Sequence, residues 1–131
     1  NVSFANSGKL WRLSAVPVAT NFADTTARDT HYVAHGSELE TSTPEEYEDK
    51  ARAFLCAALT DNPEIEEGTR TNGEILRYHK SANEFAVMQP DGTIKTYFKP
   101  MRIADAPPNY PRRKMHGEPT NYDYFLRECK R

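Results

Sequence analysis

The spacing of apolar residues changes once along this chain, close to residue 74, and that change restricts the fold more than any single motif. Before it, Tyr47, Ala51, Phe54, Leu55, Ala58 and Leu59 recur at helical spacing. After it, side chains alternate. Over 74–80, Ile75, Arg77 and His79 point one way and Leu76 and Tyr78 the other. Over 84–89, Phe85, Val87 and Gln89 oppose Ala86 and Met88, and over 93–99, Ile94, Thr96 and Phe98 oppose Lys95, Tyr97 and Lys99. Ser81-Ala82-Asn83 and Pro90-Asp91-Gly92 join these runs, and connections that short require antiparallel neighbours. Helices followed by a meander predict a single α+β domain, with N-terminal helices packed on one face of an antiparallel β-meander. The other face is then free for chemistry.

The helices carry their own boundary signals. Thr43-Pro44-Glu45-Glu46 places Thr at an N-cap, Pro at the first helical position and Glu at N3, a reciprocal capping arrangement. Glu45, Glu46, Glu48 and Asp49 crowd the first turns, where the helix dipole favours anions. This helix is expected to end near Thr60, before Asn62-Pro63. Residues 25–40 form an earlier helix, capped by Asp24 or Thr25 and stopped by Gly36 at C′, with His31 and His35 on one face. Residues 61–73 read as a polar loop. The stretch Ala106-Pro107-Pro108-Asn109-Tyr110-Pro111 reads as extended surface chain, and 121–129 as an aromatic helix or extended segment docked on the core. Residues 1–24 form an N-terminal arm held by Trp11 and Leu13, and 25–131 the domain proper.

Composition narrows the function. The chain is 131 residues long with 37% hydrophobic residues and a mean hydropathy of -0.80, so its core is lean. No apolar run reaches the roughly 18 residues of a membrane span. Residue 1 is Asn and no signal-peptide pattern follows, which predicts a cut from something longer. Cys56 and Cys129 are too few for a disulfide framework and lack metal-type spacing. Cys56 reads as a small buried hydrophobe, and a bridge to Cys129 stays open. Net charge is only -2, but residues 1–74 hold six Lys/Arg against thirteen Asp/Glu, whereas 75–131 hold eleven against six. Either one face meets a polyanion or the charges interleave on folding.

Several motifs occur in order: His-x-x-x-His-Gly at 31–36, Thr-Pro-Glu-Glu-Tyr at 43–47 with Ala-x-x-Phe-Leu at 51–55, Asn-Gly-Glu-Ile-Leu-Arg-Tyr at 72–78, Asn-Glu-Phe-Ala-Val at 83–87, and Asp-Gly-Thr-Ile-Lys-Thr-Tyr-Phe-Lys-Pro at 91–100. This series resembles the toxin ribonucleases of the barnase–EndoU–colicin–RelE (BECR) group. Within that group it is similar to the C-terminal tRNase domains of CdiA-type contact-dependent growth inhibition proteins. The resemblance covers roughly residues 31–100. It implies helices on one face of the sheet and RNA across the other, and cleavage without a metal or other cofactor. It further implies delivery, as the C-terminal part of a larger secreted or cell-surface effector, into the cytoplasm of a target bacterium. A tRNA substrate, a cognate immunity protein and a host activating factor such as an elongation factor are the partners it suggests.

Metal-free RNA cleavage needs a base for the 2′-OH, an acid for the leaving 5′-oxygen, and cations or donors for the charged phosphorane. His31 and His35 titrate in the right range. Arg77 can hold phosphate bidentately, and Thr96, Tyr97 and Lys99 lie on the last strand. Alternation alone does not decide whether Thr96 or the set Lys95, Tyr97 and Lys99 shares a face with Arg77, and a bulge near Thr96 would admit both. The resemblance favours Arg77, Thr96 and Lys99, with Tyr97 next. Lys95, Arg112, Arg113 and Lys114 are candidate RNA-backbone contacts. A zinc site on His31 and His35 lacks a third ligand at matching spacing. The competing reading is a non-catalytic interaction module of a phage or secretion system.

Overall fold

A computed structural model of the protein describes residues 18–131. Helix α1 spans Thr25–His35 and is capped by Asp24, whose carboxylate accepts from the Ala27 N–H at 2.8 Å. Gly36 ends it, though not through the left-handed conformation expected at C′, because its φ is -58. Glycine is needed there for room: a Cβ would fall 2.5 Å from the Tyr32 ring. Helix α2 spans Pro44–Cys56. Thr43 Oγ1 accepts from the Glu46 N–H at 3.1 Å, and the returning Glu46 carboxylate takes the Ser42 N–H at 2.6 Å, one residue earlier than a strict capping box. The helix stops short of Thr60, and a 3-10 turn follows at Leu59–Asp61.

Four strands form one antiparallel sheet in the order β1-β2-β3-β4: β1 Ile65–Thr69, β2 Ile75–His79, β3 Glu84–Met88 and β4 Ile94–Phe98. The meander is as expected from the alternation. Strand β1 is a correction, since it occupies the stretch read as a polar loop. Its sequence Ile-Glu-Glu-Gly-Thr has a single buried apolar side chain, Ile65, so no alternation announced it. Part of the N-terminal arm, residues 18–24, runs along β4: Phe22 bridges Ile94, and the Thr20 N–H reaches Gly92 O at 2.9 Å. Trp11 and Leu13 lie outside the described residues.

Both faces of the sheet are covered. Ile65, Ile75, Ala86, Met88, Ile94 and Tyr97 pack with Tyr47, Ala51, Phe54 and Leu55 of α2. On the opposite face Leu76, Tyr78, Phe85 and Val87 pack on Phe125 of a third helix, α3 Asn121–Cys129. The expectation of an open second face is therefore wrong. The clue lay in β3, where Phe85 and Val87 oppose Ala86 and Met88 and both sides are apolar; such strands belong between two layers. Between the sheet and α3 run two short strands, β5 Met101–Arg102 and β6 Met115–His116, paired in parallel. Helix α3 is fastened by Arg70, which donates through Nε to Glu128 O at 2.7 Å, through Nη2 to the Glu128 carboxylate at 2.9 Å, and through Nη1 to Glu74 at 2.7 Å. Cys56 is exposed rather than buried, Cys129 is half-buried, and both are free thiols.

Arg77 falls on the α2-facing side and is buried. Its Nη1 donates to the carbonyls of Phe54 at 3.1 Å and Ala57 at 2.6 Å, satisfying the open end of α2, and its Nε meets Glu67 at 2.8 Å. Replacing it by an apolar side chain strands buried carbonyls and removes an ion-pair partner. We expect Arg77→Met to destabilise the fold by about 3 kcal/mol, measured by urea denaturation with the slope unchanged.

Candidate active site

A cleft of about 250 Å³ opens where the end of α1, the end of β4 and the β5–β6 segment meet. It is lined by His35, Phe98, Lys99, Tyr110, Arg113, Lys114, His116 and Tyr124, among others. Strand β4 is at the edge of the sheet, so α1 reaches past it and places His35 against Phe98, ring centroids 5.2 Å apart. His35 Nδ1 lies 3.2 Å from Glu38 Oε2, and the same oxygen accepts the Lys99 backbone N–H at 2.9 Å. One carboxylate thus ties the helix end to the strand end.

Three cations converge. The side chains of Lys99 and Arg113 form no ion pair with any described residue. Lys114 donates to Ala34 O at 2.8 Å, at the carbonyl end of α1, and lies 5.9 Å from the Tyr110 ring centre. None of the residues lining the cleft is Asp or Glu, so the cavity is cationic although the chain is net acidic. The aromatic wall supplies flat surfaces: Tyr124 stacks on His116 at 4.6 Å. Burial, then the Glu128 charge, pushes the Tyr124 phenol up to about 12, so its hydroxyl stays protonated at neutral pH.

His116 is buried and fully engaged. Its Nδ1 accepts the Glu118 N–H at 3.2 Å, so Nε2 carries the proton given to Asn121 Oδ1 at 2.7 Å. It is a wall of the cleft rather than a free base. His31 does not line the cleft. Its ring stacks on Phe22 at 5.2 Å and lies 6.4 Å from His35. Burial, then the His35 charge, lowers its pKa and favours the neutral form.

Of the residues picked from sequence, the cleft gathers His35, Lys99, Arg113 and Lys114. It does not gather the others. Arg77 and Thr96 lie on opposite faces of the sheet, since Arg77 pairs with Ala86 and Thr96 with Val87. Tyr97 is fully buried, giving its hydroxyl to Glu84 at 2.7 Å, and burial raises its pKa. Lys95 donates to Glu74 at 2.7 Å. Arg112 is exposed on the 3-10 turn Arg112–Lys114 and does not line the cleft. Sequence reasoning missed Glu38, Tyr110, His116 and Tyr124. Only Glu38 left a signal, its i,i+3 spacing from His35; the three others arrive from a C-terminal segment that no periodicity connects to α1.

The chain matches no protein-family model and no curated protein. No helix among the described residues is long and apolar enough to cross a membrane. Nor do three His, Cys, Asp or Glu side chains cluster, among the described residues, in a way that could hold a metal ion.

Lys95 and Arg70 give the fold a measurable acid limb. The Lys95 hydrogen bond first, then those from Arg70 and Asn72, hold the Glu74 carboxyl at about 2, below its ordinary 4.5. A carboxylate depressed in the folded state adds stability above its unfolded pKa, and that stability is lost as pH falls through the folded value. Stability should therefore drop between about pH 4.5 and pH 2. Denaturation curves across that window should show a shallower acid slope for Glu74→Gln than for the unmodified protein.

Proposed function

We propose that this cleft is the active site of a metal-independent endoribonuclease of the toxin type. One observation carries the reading: an imidazole, His35, shares a cleft with Lys99 and Arg113, two cations that no described acid neutralises. Phosphodiester cleavage by the neighbouring 2′-OH needs those groups together. In this reading His35 removes the hydroxyl proton and the freed oxygen attacks phosphorus. Lys99 and Arg113 stabilise the charge that accumulates on the phosphorane oxygens. A group that keeps its proton must then serve the departing 5′-oxygen, and Tyr124 is such a group in the same cavity. The products are a 2′,3′-cyclic phosphate and a 5′-hydroxyl. Tyr110, in the lining of the cleft, offers a ring on which an unpaired base would stack.

The site differs from the one the resemblance implied. It lies at the β4 edge rather than across an open sheet face, and Arg77, Thr96 and Tyr97 leave the reaction. A tRNA substrate, delivery into a target bacterium, an immunity protein and a host activating factor belong to the proposal on the strength of the resemblance over residues 31–100. An acidic immunity protein would complement the cationic cleft.

The test is incubation of the purified chain with total tRNA in EDTA, with and without bacterial cytosolic extract. Discrete fragments ending in cyclic phosphate are expected. His35→Ala should lose at least about a hundredfold in rate while the domain stays folded by circular dichroism. Lys99→Met and Arg113→Met should each weaken binding of RNA and reduce the salt slope of affinity by about one. Intact tRNA at high dose, with extract present, would return the chain to the protein-interaction reading.

A further inference from the structure

Glu38 is the acid nearest the proposed chemistry, and its bonding is more specific than a surface ion pair requires. Its Oε2 receives two donors at once, the His35 ring at 3.2 Å and the Lys99 backbone N–H at 2.9 Å. The Lys99 amide is backbone, on the residue that follows β4, so it fixes where that oxygen sits. The side chains of His35 and Glu38 are only 15% and 24% exposed, which removes much of the water that would compete for the contact. A carboxylate oxygen only accepts. The ring nitrogen facing it must therefore carry a hydrogen, and in neutral imidazole the other nitrogen is then left with the lone pair. The stack on Phe98 at 5.2 Å sets the plane in which that second nitrogen lies.

We infer that Glu38 is the positioning residue of this site: it holds the His35 proton on Nδ1 and so presents Nε2 to the cleft as the proton acceptor. The inference rests on the ribonuclease reading for its consequence, though not for the pairing itself. The groups around His35 fit the assignment. His31 from α1, Lys99 beyond β4, and Tyr110, Arg113, Lys114, His116 and Tyr124 from the C-terminal segment include no second carboxylate. As His35 takes up a proton from the 2′-OH it becomes a cation among cations, and Glu38 is the contact that offsets this charge. Glu38 itself touches no substrate atom in this scheme.

The experiment reads the proton directly. Ring-nitrogen chemical shifts of His35, followed in the unmodified chain without RNA, should report the Nδ1–H form of the neutral ring. In Glu38→Leu the proton should redistribute toward Nε2. With tRNA as substrate, Glu38→Leu should lose about a hundredfold in kcat while KM changes less than about threefold. Glu38→Gln keeps an oxygen for the Lys99 amide. It should stay folded, retain the Nδ1–H form, and lose about tenfold in kcat for want of the negative charge. That variant keeps the inference testable should Glu38→Leu fail to fold. A neutral His35 protonated on Nε2 in the unmodified protein overturns the inference, as does a Glu38→Gln or Glu38→Leu enzyme with full kcat. If the Nδ1–H form is found but the unmodified chain cuts no RNA, the pairing stands and the ribonuclease reading falls, so the two failures are distinct.

Discussion

A single extra residue in β4 governs how this molecule is assembled. Val87 pairs with Thr96 and Met88 with Ile94, so Lys95 is bulged out of register. Because of it, Ile94 and Tyr97, three apart in sequence, both face the helices and are buried there. One more residue of core is gained on that side than strict alternation allows, worth about 1.5–3 kcal/mol when fully buried. Phe98 is left on the other side with Phe85. The displaced Lys95 reaches Glu74, which also holds Arg70, which in turn fastens α3 through Glu128. The bulge thus sets the helix-facing core and orients Phe98, while its own side chain joins the network that seats the C-terminal helix.

With helices on both faces, the sheet has no open surface for a substrate. What it retains is an edge. Strand β4 is the last strand of the meander, and the chain on either side of it supplies the cleft: the end of α1 from before the sheet, and Tyr110, Arg113, Lys114, His116 and Tyr124 from after it. The Tyr47 hydroxyl donates to the Tyr97 carbonyl, pinning α2 to this strand from beneath. Glu38, paired with His35 at the end of α1, does the same two residues further along, at Lys99. The site is therefore built on backbone tied to both α1 and α2, which suits chemistry that depends on positioning.

The meander, its turns, the cap of α2 and the apolar face of that helix were all legible because each depends on neighbours a few residues away. Phe85 and Val87 alternate with Ala86 and Met88 whatever the rest of the chain does. Thr43 finds the Glu46 amide in its own first turn. The register of β4 was not legible. Strict alternation grouped Ile94 with Thr96 and Phe98, and one bulged residue moved Tyr97 into that place. Arg77 looked like a phosphate ligand because a guanidinium can hold phosphate bidentately and the resemblance favoured it; its use, taking the last carbonyls of α2, depends on a helix end that sequence placed four residues too late. His35 was legible, whereas the residues that complete its cleft were not, since Tyr110, His116 and Tyr124 lie some 75–90 positions downstream.

The charge asymmetry along the sequence tells a related story. The excess of cations after residue 74 left two readings open, a face for a polyanion or charges that interleave on folding, and several of those cations are paired with acids of the fold. Arg77 closes α2, Lys95 meets Glu74, and Arg127 and Arg131 both lean on Glu128. The acids of the first half divide in the same way, with Glu67 and Glu74 turned inward and Glu45 and Glu46 at the exposed start of α2. The polarity of the cleft follows instead from a subtraction. Once internal pairs are removed, Lys99 and Arg113 remain beside Lys114, and the carboxylate of Glu38 is already committed to His35 and the Lys99 amide. A cleft can be cationic in a chain of net charge -2, because long-range electrostatics at a site depend on which charges are left without partners rather than on how many the sequence contains.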